Sequence, residues 1–100
     1  MDIAARFGQN LAGCRERVGI SQEELGVRAS LHRTQVGSLE RGTHLPRLDT
    51  LAKLAGALGV PASELLDGIA WRPGFARLGG WEDAGSAEHG TPTDPQLKMP

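Results

Sequence analysis

Cysteine occurs once in the 100 residues, at Cys14, and tyrosine not at all. A lone cysteine excludes an internal disulfide framework and fits a reducing cytoplasm. Only four aromatic residues are present, Phe7, Trp71, Phe75 and Trp81, so a core has to be built mostly from Leu, Ala, Val and Ile. No stretch approaches the roughly 20 apolar residues needed to cross a bilayer. The start "MDIAARFGQN" has an early acid and no apolar run, so it does not read as a secretory signal. Together these absences predict a cytoplasmic protein that does not enter a membrane.

Chemistry-bearing patterns are missing too. His32, His44 and His89 have no metal-ligand spacing among themselves or with Cys14. The glycines never fall into the G-x-x-x-x-G-K-S/T spacing of a phosphate loop. No nucleophile stands with a plausible base, so the reading is no metal, no cofactor and no enzyme. A large net charge is absent as well, the formal value being −1. That average hides an asymmetry: residues 1–66 hold 8 basic and 7 acidic side chains, residues 67–100 hold 3 and 5. Any basic face must therefore arise by clustering in the first two thirds of the chain.

What is present is helical periodicity. From Ile3 to Val18, apolar residues recur at Phe7, Leu11, Cys14 and Val18, spaced four, three and four, which marks one face of a helix ending at Gly19. "SQEEL" then reads as a capping box, with Ser21 as N-cap, Glu24 three positions on, and acids where the helix dipole favours them. A short second helix follows over about Gln22–Ala29. Ser30 or His32 would cap a third, over about Arg33–Arg41, with Val36, Leu39 and Glu40 facing in and Gly42 as its stop. Pro46 forces a loop before a fourth helix at about Leu48–Leu58, whose Leu48, Leu51, Leu54, Ala55 and Leu58 share one buried face. Gly59 ends it, and a short fifth helix runs from about Pro61 to Leu66. Past Asp67-Gly68 the chain changes: "IAWRPGF" holds a Pro-Gly turn between two short apolar-alternating pieces. From Gly79 onward, glycine, proline and small polar residues predict disorder. The expected division is a domain at 1–67 and an extension at 68–100, with one short ordered segment.

The second and third helices are too short to be stable alone, since nucleating a helix costs more than a few hydrogen bonds return. Held together by neighbours, they have the dimensions of a helix-turn-helix, in which the second helix lies in the DNA major groove. "RTQVGS" suits that position, offering short donors and acceptors instead of apolar surface. The stretch "GISQEELGVRASLHRTQVGSLERGTHLPRLDTLAKLAGALGVPASELL" resembles the Cro/repressor-type, or xenobiotic-response-element-type, helix-turn-helix family over about residues 7–66. "GISQEEL", "VGSLERG" and "LDTLAKLAGALGV" carry the likeness, each weak alone but specific in this order and spacing.

The resemblance implies an all-α fold, a compact five-helix bundle that binds operator DNA, usually as a homodimer on two-fold-related half-sites. It implies base-facing roles for Arg33, Thr34 and Ser38, with Gln35 and Gly37 alongside. It implies backbone contacts from His32, Arg41, Thr43, His44 and Arg47, while Gln22 would touch a phosphate or brace the third helix. Arg15 and Glu40 match a family ion pair tying the first helix to the third. Departures are His32 where a Ser or Thr cap is usual, Ser30 for a turn glycine, Arg47 for a helix-four cap, and the small Gly37. The function read from all this is sequence-specific double-stranded DNA binding by a bacterial or phage-type transcriptional regulator. The alternative is an antitoxin or adaptor that engages a protein partner through its C-terminal tail. For Trp71, Phe75 and Trp81 two readings stay open: a cover over helices one and five, or a dimer or partner surface.

Overall fold

The first three helices begin where a side chain satisfies their free backbone amides. A computed structural model describes residues 1–74 and 79–83. Helix α1 (Ile3–Val18) starts at Asp2, whose carboxylate accepts from the amides of Ala4 and Ala5 at 3.0 and 3.2 Å. It ends at Gly19, in the left-handed region at φ 85°. Phe7, Leu11 and Cys14 of α1 are buried, but Val18, the last member of the same apolar series, is exposed beyond the edge of the core.

Helix α2 (Gln22–Ala29) is capped by Ser21, whose hydroxyl accepts from the Glu24 amide at 3.0 Å. The reciprocal half of the expected box is replaced: the Glu24 carboxylate reaches forward to Arg28 at 3.0 Å. The turn passes through Ser30 at φ 58°, the single non-glycine among the described residues with a positive φ. Helix α3 (Arg33–Glu40) ends one residue earlier than its periodicity predicts, with Arg41 as C-cap and Gly42 at φ 74°. Helix α4 (Leu48–Leu58) starts at Arg47 without any side-chain cap. Helix α5 is only Ala62–Leu65, because Pro61 takes the N-cap place and Leu66 the C-cap.

The five helices enclose one core of Phe7, Leu11, Cys14, Leu25, Ala29, Val36, Leu39, Leu54, Ala55, Leu58 and Leu65. Leu48 was expected on that buried face and is instead 81% exposed, since it opens α4 at the rim of the bundle. Asn10 locks α5 to α1, its amide donating to the carbonyls of Leu65 and Asp67 at 3.0 and 2.9 Å. Those are carbonyls that a four-residue helix leaves without intrahelical partners.

The bundle carries one addition. Strands β1 (Ile69–Arg72) and β2 (Gly80–Asp83) pair antiparallel, with Trp71 opposite Trp81. The disorder predicted from Gly79 onward is therefore corrected for residues 80–83; the remainder, 84–100, lies outside the described residues, as does Phe75. Ile69 packs against the core, and Arg6 of α1 pairs with Asp83 at 3.1 Å. The hairpin thus lies back on α1, while Trp71 and Trp81, in edge-to-face contact at 5.3 Å, stay 52% and 44% exposed. Among the described residues, no helix is long and apolar enough to cross a membrane.

Candidate nucleic-acid interface

The turn between α2 and α3 is held by Gly26, whose missing side chain lets the chain double back. A Cβ there would lie 2.7 Å from the Leu31 carbonyl oxygen and 3.3 Å from the Arg33 nitrogen. From the other side, Gly8 of α1 sits against the end of α3: a Cβ on it would come within 2.5 Å of the carbonyl oxygens of both Leu39 and Glu40. Val36 and Leu39 face inward, and Arg33, Thr34 and Gln35 are turned to solvent.

Three polar clusters organise α3. The first braces it. Arg15 Nε and Nη2 donate to the two oxygens of Glu40 at 2.6 and 3.0 Å, and Arg15 Nη1 donates to the Ile20 carbonyl at 2.9 Å. Gln22 Nε2 donates to Glu40 Oε1 at 2.9 Å. Of the two roles open to Gln22, phosphate contact or bracing, its amide is thus engaged in bracing. The hydrogen-bonded Glu40 carboxylate raises the Arg15 pKa above the ordinary arginine value, against the opposing effect of burial.

The second cluster is the leading turn. His32 is the N-cap, its Nδ1 3.1 Å from the Thr34 amide and 2.8 Å from the Thr34 hydroxyl. Gln35 reaches back, and its Oε1 accepts from the His32 amide at 3.2 Å. Of the two candidate caps, His32 is the one that fills the position where Ser or Thr is usual, and Gln35 has a structural duty that the sequence reading did not assign to it. The signal was present in the spacing, because Gln35 stands three residues after the cap.

The third cluster closes the helix. Thr43 Oγ1 donates to the Ser38 carbonyl at 3.0 Å, so the 2.6 Å contact between the Ser38 and Thr43 hydroxyls is donated by Ser38. His44 Nδ1 stands 3.1 Å from Thr43 Oγ1 and 3.4 Å from Ser38 Oγ. Ser38 is half-buried and turned toward the loop, a different setting from the open faces of Arg33 and Thr34.

The cations are distributed around this frame. The guanidinium groups of Arg33 and Arg41 make no ion pair among the described residues, and Arg47 touches Asp49 at 3.3 Å with both groups well exposed. Such exposed contacts contribute little and exchange readily for another anion. Cys14 belongs elsewhere: burial pushes its thiol up, partly countered by Arg17, whose Nη2 lies 3.1 Å from the sulfur. Thiol reagents are accordingly expected to label Cys14 far more slowly in the native protein than in denaturant. Equal labelling rates would show that the α1 core face is open.

Comparison with known proteins agrees with this arrangement. The family model HTH_3, described as helix-turn-helix, matches residues 11–65. The control protein C.BamHI of Bacillus amyloliquefaciens is 40% identical over 67 residues, covering 66% of this chain and 83% of that protein. The control protein C.SmaI of Serratia marcescens is 39% identical over 66 residues, covering 66% and 79%. In three dimensions, the restriction-modification controller protein C.AhdI of Aeromonas hydrophila superposes with a TM-score of 0.61 at 40% identity, over 62% of this chain and 94% of the controller. With more than half of its length matched in both sequence and fold, this chain belongs to the helix-turn-helix family.

Proposed function

We propose that the protein is a DNA-binding transcriptional regulator of bacterial or phage type, with α3 in the major groove of double-stranded DNA. The observation that carries this is an exposed, polar α3 held rigidly from behind by Gly8, Arg15 and Gln22, in a chain of the helix-turn-helix family. Similarity to control proteins of restriction-modification systems supports a regulatory role and calls for no catalytic step. The DNA-binding unit is residues 1–67, and 68–100 is an extension to it. Arg33, Thr34, Gln35 and Ser38 are assigned to base edges, and His32, Arg41, Thr43, His44 and Arg47 to the phosphate backbone, with Gln22 bracing α3 beside them. A single eight-residue helix reaches few base pairs, so two copies on two-fold-related half-sites supply the affinity that one lacks.

Selection of bound duplexes from a random pool tests the proposal: a recovered palindrome gives the half-site and the symmetry together. Arg33→Ala is expected to relax preference at one base pair, by about 1–3 kcal/mol for a bidentate guanine contact. Arg47→Ala is expected to weaken all duplexes alike and to reduce the salt slope by about one unit. Equal losses on operator and random DNA for Arg33→Ala would remove it from the base-reading set. The exposed Trp71–Trp81 pair favours a second reading, an adaptor acting through the extension. That reading takes over if the full chain selects no duplex at low salt.

A further inference from the structure

The reciprocal cap at the start of α3 has a consequence for what the helix offers a base edge. The Thr34 amide is a hydrogen-bond donor with no other role, and it points at His32 Nδ1 from 3.1 Å. An Nδ1–H would set two hydrogens against each other, so Nδ1 carries the lone pair and the ring proton sits on Nε2. An unprotonated Nδ1 cannot donate to the Thr34 hydroxyl, and two lone pairs do not face each other at 2.8 Å. The hydroxyl therefore donates to the ring and shares the Nδ1 lone pair with the amide. Its hydrogen is thereby turned inward and its lone pairs face out. The same logic orients Gln35. The His32 amide donates, so the atom 3.2 Å from it is the carbonyl oxygen of Gln35, and the amide nitrogen with its two hydrogens is left outward.

We infer that His32, through this cap, presets the hydrogen-bond polarity of the leading turn: Thr34 meets DNA as an acceptor and Gln35 as a donor. This rests on the reading of α3 as the groove-facing helix and adds a specificity rule to it. In the major groove, an acceptor selects the amino groups of adenine N6 or cytosine N4, and a donor selects guanine O6 and N7, adenine N7 or thymine O4. Gln35 has its oxygen turned to the His32 amide, which leaves one lone pair on that oxygen and sets the NH2 end foremost toward a base edge. His32 is a positioning residue here. It contributes by fixing the proton of its neighbour, independently of any phosphate contact by its outward Nε2–H.

Two measurements on the full chain test this. Nitrogen-15 NMR of the free protein at mildly alkaline pH is expected to show His32 as the Nε2–H tautomer, and an Nδ1–H tautomer overturns the inference. Duplex selection is then compared among the native chain, His32→Ala and His32→Asn, the last placing an acceptor oxygen where Nδ1 stands. Native protein is expected to prefer adenine or cytosine at the position facing Thr34. His32→Ala should lose that preference about five- to tenfold, the worth of one hydrogen bond, and His32→Asn should restore it. An unchanged base preference in His32→Ala overturns the inference, as does a loss that asparagine fails to rescue. A chain that selects no duplex while keeping the Nε2–H tautomer overturns the functional reading instead, leaving the cap itself standing.

Discussion

Glu40→Ala is expected to lower the unfolding free energy by about 3 kcal/mol, more than removal of the whole ion pair would cost. The reason is asymmetry. The Glu40 and Arg15 side chains are only 7% and 15% exposed, so both have given up most of their water. Glu40 is the shared acceptor for two Arg15 nitrogens and for the Gln22 amide. Deleting it strands a guanidinium and an amide in a poorly hydrated site, and a stranded buried charge costs about 3–5 kcal/mol. Partial exposure of Arg15 and its remaining bond to the Ile20 carbonyl bring the figure to the lower end. Replacing both residues by apolar ones of similar volume, Arg15→Met with Glu40→Leu, is expected to recover much of the loss. Urea unfolding of the native chain, Glu40→Ala and the double variant, with unchanged m values, measures the comparison. A double variant as unstable as the single would mean that the pair is a net stabiliser and that stranding is not the cause. The same Glu40→Ala protein should bind operator DNA more weakly, because the brace behind α3 is gone.

Gly8→Ala should destabilise the fold by about 2–3 kcal/mol, the upper part of the range for overpacking. In an ordinary helix this exchange gains up to about 1 kcal/mol, since alanine is the better helix former. Here the added carbon would stand 2.5 Å from two carbonyl oxygens of α3, and both belong to backbone. Side chains can swing aside; a helix end cannot without moving the helix. α3 would therefore be pushed off α1, and DNA affinity should fall further than stability alone explains. Gly56→Ala, on the exposed side of α4 with nothing within 4 Å of the new carbon, is the matched control and should be neutral or stabilising. If both variants melt together, the close approach of α1 to α3 is not what requires glycine at position 8.

Much of this fold was legible in the sequence, because its helices are short and locally marked. Ser21, Gly19, Gly42 and Gly59 announce their ends, and Phe7, Leu11 and Cys14 announce a buried face. The reading failed where burial depends on what lies opposite. Leu48 and Val18 sit in good periodic positions, but each falls past the limit of the neighbouring helices. The hairpin was missed for a related reason: "GWED" has no apolar alternation of its own. It becomes a strand by pairing with Ile69–Arg72 and through the Arg6–Asp83 bond, which spans 77 positions. The candidate site divides in the same way. Which residues are turned outward on α3 follows from a 3.6-residue period. Which of their atoms are already engaged does not, since Gln35, Ser38 and Gln22 are polar side chains that sequence position alone leaves free to point anywhere.

The order of residues by itself determined five helices, the Ser21 cap and the glycine stops, the family and the outward face of α3, since each of these arises from interactions within one or two turns of chain. Only the tertiary structure decided that glycine is required at position 8, that Gln22 serves as a brace and that residues 80–83 form a strand. Those outcomes depend on contacts between segments distant along the chain, and such contacts exist only once the core has brought the helices together.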